Sequence, residues 1–379
     1  MKLEQRRWTQ ATGWSSPNPQ LKDAAGLVLV FGSTEILSDR QRLQEVRASY
    51  PKAHVFGCST AGEICGTRVT DDSMVLTAIQ FETTKIALAH TNIADCAGSR
   101  EAGERVAKAL DPQGLIHAVV LSDGQHVNGS ELVLGMMAHL PRGVVVTGGL
   151  AGDGARFKRT IVCVDESANE GEVGVLGLYG TQLRVGYGSL GGWDPFGPER
   201  LITTSQGNVL YELDDQPALA LYKKYLGEQA SGLPATGLLF PLSVRNSNGS
   251  REVVRTILAV DEREQSMTFA GDVPQGAYAR LMKANFDRLV DGAHGAAKTS
   301  YEALKSSSPD LAILISCVGR KLVLKQRTEE EVEAVRSVLG EGATLAGFYS
   351  YGEICPAAPN TNCELHNQTM TITTFSERL

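Results

Sequence analysis

No stretch of the chain approaches the roughly 18 consecutive apolar residues that a membrane-spanning helix needs. The early charges of Met1-Lys2-Leu3-Glu4-Gln5-Arg6-Arg7 are not followed by the apolar segment of a secretion signal. Blocks of Lys and Arg are missing too. With a formal charge of −7, this speaks against nucleic acid or an anionic membrane as the main partner. Cys-x-x-Cys spacing is absent, and seven cysteines is an odd number in a large acidic chain. Reduced thiols in a cytoplasmic protein fit this better than a disulfide framework. Low-complexity tracts and long polar linkers are lacking. Glycine, by contrast, is abundant: 40 residues argue for many tight turns between strands. An apolar content of 42% is ordinary for a globular protein, and 379 residues suit two domains.

One segment occurs twice. Gly57-Cys58-Ser59-Thr60-Ala61-Gly62-Glu63-Ile64-Cys65 returns, altered, as Gly347-Phe348-Tyr349-Ser350-Tyr351-Gly352-Glu353-Ile354-Cys355. An apolar run precedes each copy, and a threonine-rich alternating segment follows each after a loop. The simplest account is a duplication giving two related domains, whose paired turns would wall a shared ligand site.

Leu27–Ser33 reads as a buried strand, residues 35–49 as a helix and residues 54–60 as a second strand, parallel to the first. Residues 74–81 and 85–92 read as a strand pair, 100–110 as an amphipathic helix, and 116–122 as another buried strand. A helix over 131–140 and a strand from Val144 follow, and short alternating strands fill 156–212. Beyond them come a helix over 217–226, strands near 252–260 and 266–271, and a long helical stretch over 276–304. A strand over 311–317, a helix over 328–339 and the repeated turn complete the pattern. The expected class is mixed α/β (α+β), each domain a mixed sheet flanked by helices, with domains at 1–210 and 211–379.

These residues resemble the FIST family, bacterial sensory proteins with an N-terminal and a C-terminal FIST region. The carriers are Gly57–Ile64 and Gly148–Gly154 in the first half. In the second they are Val254-Arg255, Gly347–Ile354 and Leu365-His366-Asn367-Gln368-Thr369. The resemblance implies a ligand-sensing module, in some members for small molecules such as amino acids. It also implies, from the stand-alone nitric-oxide-sensing members, b-type haem held without covalent linkage. Such proteins control a partner histidine kinase or a cyclic-di-GMP enzyme, a diguanylate cyclase or phosphodiesterase. The chain shows no kinase, cyclase or methyl-accepting segment, so its signal would pass to a partner; a homodimer is also compatible. No nucleophile–base–orienter set is legible, so a receptor is expected rather than an enzyme.

A haem sensor needs an axial base, a flat apolar slot and cations for the propionates. His294 is the first candidate for the iron ligand, because every neighbour from Gly292 to Ala297 is small and would let a wide macrocycle approach. Asp291, three residues earlier on the same helical face, would fix its tautomer. Met282, Phe286, Leu289 and Ala293 form an apolar stripe beside it, with Arg288 or Lys298 for a propionate. The competing reading is that the small residues serve close helix packing. His126, between a buried strand and a helix start, is the second candidate. His366, beside the second repeated turn, is the third, with a turn-holding role as its alternative. Tyr349 and Tyr351 are oxygen ligands or sheet packing. Glu63 and Glu353 either grip a ligand jointly or accept bonds within their own turns. Gly148–Gly154 lacks the Gly-Lys-Ser/Thr of a phosphate loop, so its glycines leave room for a ligand or another backbone. Arg156 beside it is an anion ligand or a surface ion pair. Cys58, Cys65, Cys355 and Cys363 with His366 lack the spacing of a zinc site, and Cys65 with Cys355 would form a redox pair or lie buried and inert.

Overall fold

The computed structural model describes residues 1–245, 252–305, 308–357 and 361–377. The expected mixed α/β class holds. Leu27–Gly32 and His54–Ser59 pair in parallel, as the β-α-β pattern predicts. The repeat, however, occurs three times. The parallel pairs are Leu27–Gly32 with His54–Ser59, Leu115–Ser122 with Val145–Leu150, and Leu311–Cys317 with Thr344–Ser350. In each unit a later strand lies antiparallel to the first member of the pair: Ser73–Gln80, Glu172–Tyr179 and Met370–Glu377. An earlier strand then lies antiparallel to that one: Lys2–Thr9, Lys85–Asn92 and Leu183–Leu190. Three units therefore follow one another, over residues 2–80, 85–179 and 183–377. Residues 73–80 and 85–92 do not pair with each other, because they end one unit and begin the next.

The units are interlocked. After the turn, the first unit sends Glu63–Cys65 to the edge of the third unit's sheet, beside Thr344–Ser350. The third sends Gly352–Pro356 to the second, beside Val145–Leu150, and the second sends Val162–Val164 to the first, beside His54–Ser59. The exchange closes a ring. The three units share one local feature before the turn: Gly57, Gly148 and Gly347 each face a carbonyl of the adjoining parallel strand. A Cβ there would lie 1.8–1.9 Å from the oxygen of Val30, Val120 or Leu314. Only glycine permits that approach.

Alternation along the strands sorts the core. Leu27, Leu29 and Phe31, Val119 and Leu121, and Leu311, Ile313 and Ile315 share one central cluster with Phe348 and Phe375. Phe31 and Phe348 meet there at 4.8 Å. The intervening residues face outward under helices: Val28 and Val30 lie with Leu43 and Val46 of Arg40–Ser49. Ala118, Val120, Ala312 and Leu314 lie with residues of the helices Ser99–Lys108, Gly129–His139, Phe286–Ala303 and Thr328–Leu339. Both faces of each sheet are covered, which is why these strands are nearly continuous apolar runs.

The third unit carries an insertion. Trp193–Gln206, Val209–Leu213, Leu242–Arg245, Val253–Arg255, Ile257–Asp261, Ser266–Phe269 and Tyr278–Ala284 form a separate antiparallel sheet with its own core against the helix Ala218–Leu226. The helix expected over 276–304 begins only at Phe286. Tyr278–Ala284 is a strand in which Ala279 and Leu281 are buried between the exposed Tyr278 and Arg280. That period of two outweighs the good helical propensity of its residues. Position 210, the expected junction, falls inside the strand Val209–Leu213 of the inserted sheet.

Candidate functional site

The three turns place three acids in equivalent positions. Glu63 accepts from Thr60 Oγ1 at 2.5 Å, Ser73 Oγ at 2.6 Å and Ser73 N at 3.2 Å. Glu353 accepts from Ser350 Oγ at 2.6 Å, Thr369 Oγ1 at 3.0 Å and Thr369 N at 3.1 Å. Both are buried, and burial pushes Glu63 up to about 7 and Glu353 up to about 8 against the lowering effect of those hydrogen bonds. Each acid thus fastens its turn to the strand that completes the unit, and all its oxygens face protein donors. Asp153 is the third acid. It accepts from the amides of Phe157, Lys158 and Arg159 at 2.8–2.9 Å and from the Tyr351 hydroxyl of the neighbouring unit.

The small residues expected to make room for a macrocycle beside His294 are used up in packing. Gly292 lies against the carbonyl of Gly191, and Gly295 against Leu190. Ala293, Ala296 and Ala297 are buried, and Gly186 and Gly188 approach the carbonyls of Ser300 and Ala296. His294 and Asp291 stand on the exposed face of that helix, and Arg288 is paired with Asp194 at 2.9 Å. The small residues are spent on these close approaches, so packing accounts for the motif. His366 is buried within the sheet edge, its Nε2 2.9 Å from the carbonyl oxygen of Cys355. Tyr349 is fully buried and donates to Glu331 Oε1 at 2.6 Å. Among the described residues no three His, Cys, Asp or Glu side chains gather as metal ligands, and no helix is long and apolar enough to cross a membrane.

His126 and Tyr351 do come together. They line a cleft of about 400 Å³ between the ring and the inserted sheet, with Gln125, Asn128 and Phe157 from the ring and Asn208, Leu258, Phe269 and Gly271 from the insertion. Phe157 stacks on Tyr351 at 4.4 Å. Asp123, fully buried, organises the loop: its Oδ1 accepts from the amides of Gln125 and His126 at 2.7 and 2.6 Å, and its Oδ2 from Thr160 Oγ1 at 2.8 Å and Gly171 N at 3.0 Å. His126 Nδ1 lies 3.1 Å from Asp123 Oδ1, which orients a ring that lines the cleft. Among the described residues the lining includes no Asp, Glu, Lys or Arg. Two contacts bridge the bodies beside it. Asn128 Nδ2 donates to Asp272 Oδ1 at 3.1 Å, and the buried Arg255 donates to the carbonyls of Asp272 and Leu365 at 2.9 and 3.1 Å. Asp123 and Asp153 were not singled out from the sequence. The pairing of Gly152 with Asp153, matching Gly62-Glu63 and Gly352-Glu353, was the available signal.

The ring of exchanged strands, the inserted sheet packed on it and the cleft at their junction lie within two family regions: the FIST N domain matches residues 26–216 and the FIST C domain residues 218–356. The chain belongs to the FIST family, whose domains are sensors in signal transduction. The family division near 217 cuts across the inserted sheet, so the two family regions interleave in space. The "uncharacterized protein MJ1623" of Methanocaldococcus jannaschii is 26% identical in an alignment 351 positions long that covers 80% of this chain and 62% of that protein. The chain therefore spans less than two thirds of that relative. Among solved structures, cyanuric acid hydrolase from A. caulinodans overlaps 78% of this chain and 99% of its own, at 10% identity and a TM-score of 0.19. A second cyanuric acid hydrolase structure gives 10% identity and 0.18. Scores this low bear on neither fold nor activity.

Proposed function

We propose that the protein is a non-enzymatic sensor whose signal is a small, uncharged, partly aromatic molecule bound in the cleft between the ring and the inserted sheet. One observation carries this reading: His126, held at Nδ1 by buried Asp123, lines a cleft walled by both bodies whose described lining residues include no Asp, Glu, Lys or Arg. Phe157, Phe269 and Tyr351 supply apolar and ring surface, and His126 and Gln125 supply hydrogen bonds. A free amino acid is a poorer match, because its ammonium and carboxylate would be desolvated against no opposite charge among those residues. A ligand touching both walls favours one arrangement of the two bodies over others, and that differential affinity is what a partner reads. The test is a thermal-shift and calorimetric screen of neutral heteroaromatic compounds against the wild type and His126→Ala. A hit that survives the substitution with unchanged affinity refutes the site.

The finer reading implied by family resemblance is a cytoplasmic haem b sensor of nitric oxide acting on a histidine kinase, diguanylate cyclase or phosphodiesterase. One feature favours it here, the Asp123-oriented imidazole, which is how an axial histidine is commonly held. Against it, the described lining residues offer no Lys or Arg to a propionate. His126 would hold the iron, and the group would supply the gas-binding site. Haem titration followed by visible spectroscopy decides: a Soret band lost in His126→Ala supports this reading, and no band at all removes it.

A further inference from the structure

A second cleft, of about 580 Å³, opens where the first unit's turn meets the helix Val318–Leu324 of the third unit. It occupies the ring position equivalent to the first cleft, which lies where the third unit's turn meets the loop after Leu115–Ser122. The remaining junction is bridged by Thr34 Oγ1, which donates to the Arg159 carbonyl at 3.3 Å. The chemistry of the second cleft is the opposite of the first. Its lining carries Lys321, Lys325 and Arg156 against Asp71 and Asp72, while Glu63 faces inward to Thr60 and Ser73. Lys321 is the centre: its ammonium donates to the Ala61 carbonyl at 2.8 Å, sits 5.6 Å from the Tyr349 ring centre and pairs with Asp71. The Lys321 side chain is 18% exposed, but that of Asp71 is 63% exposed and lies on the tight turn between Arg68–Thr70 and Ser73–Gln80. A carboxylate from the protein's own surface thus already sits on a half-buried ammonium. It is positioned to be exchanged.

We propose that this second cleft binds a small dicarboxylate, one carboxylate replacing Asp71 on Lys321 and the other meeting Arg156 or Lys325. Among the described residues Arg156 has a 3.4 Å contact to Glu35 and a 4.0 Å contact to Asp153, and its side chain is 45% exposed, so it can turn to a ligand at small cost. The site is separate from the His126 cleft and does not depend on what binds there.

Succinate is the probe, titrated calorimetrically and by NMR at constant ionic strength into the wild type, Asp71→Asn, Lys321→Met, Arg156→Gln and His126→Ala. Removing the competing internal carboxylate should tighten succinate by about 1.5- to 5-fold, the range for a partly exposed ion pair. Lys321→Met should abolish binding, Arg156→Gln should weaken it, and His126→Ala should leave it unchanged. Circular dichroism checks the fold of Lys321→Met, and the exposed Asp71 and Arg156 variants carry the test if it unfolds. The proposal is overturned if succinate binds neither the wild type nor Asp71→Asn, if Asp71→Asn weakens it, or if inorganic phosphate matches it with the same dependence on Lys321.

Discussion

Arg320 and Glu331 are both fully buried, and their pairing gives the sharpest energetic test of how the two bodies are joined. Glu331 accepts from Arg320 Nε at 3.0 Å and Nη2 at 2.7 Å, from Ser316 Oγ at 2.9 Å and from the Tyr349 hydroxyl. Arg320 also donates to the carbonyls of Gly191 and Leu289, both at 2.7 Å. Those two residues flank the points where the chain leaves the ring for the inserted sheet and returns. Glu331→Gln keeps the shape and leaves the guanidinium without a counter-charge, which should cost about 3 kcal/mol, the lower end for breaking a buried pair. For a chain of 379 residues that lowers the midpoint of thermal unfolding by roughly 4 °C. Arg320→Met costs a similar amount, because it strands the Glu331 charge and two buried carbonyls. The double variant should be no worse than either single one, giving a coupling energy of about 3 kcal/mol in a double-mutant cycle. Calorimetry or urea unfolding of the four proteins measures it. If the two losses simply add, the pair is not the unit described, and the clamp on the inserted sheet falls with it.

Three further outcomes are expected. Gly57→Ala, Gly148→Ala and Gly347→Ala should each cost several kcal/mol or abolish folding, whereas Gly26→Ala, with open space around it, should be nearly neutral; soluble yield and far-UV circular dichroism read this. Glu63 and Glu353 are raised from 4.5 to about 7 and about 8, so the stability they contribute is full below about pH 4.5 and is lost as pH rises through 7 and 8. Thermal midpoints between pH 5 and 9 should therefore fall less steeply in Glu63→Gln/Glu353→Gln than in the wild type, and an identical slope would contradict the assignment. His294→Ala should change stability by no more than about 0.5 kcal/mol and leave ligand or haem binding untouched, since the side chain is exposed.

Local pattern was enough to read much of the chain. Strict alternation and apolar runs marked the strands of the parallel pairs, and Gly62-Glu63 and Gly352-Glu353 exposed the repeat and its buried acids. Those signals are short-range, carried by neighbours in sequence. The third copy was harder to see, because its turn is one residue shorter and carries Asp153 for glutamate. Of the candidate ligands, His126 and Tyr351 were placed together only by the fold, since 225 positions separate them. His294 misled because small residues serve a helix packed on a strand as well as they would serve a ligand, and sequence does not say which neighbour arrives. Strand exchange, the cleft between ring and inserted sheet and the Lys321–Asp71 pair all depend on contacts between distant segments. Composition and periodicity settle which face of an element is buried; which elements share that burial is settled by the ring closing on itself.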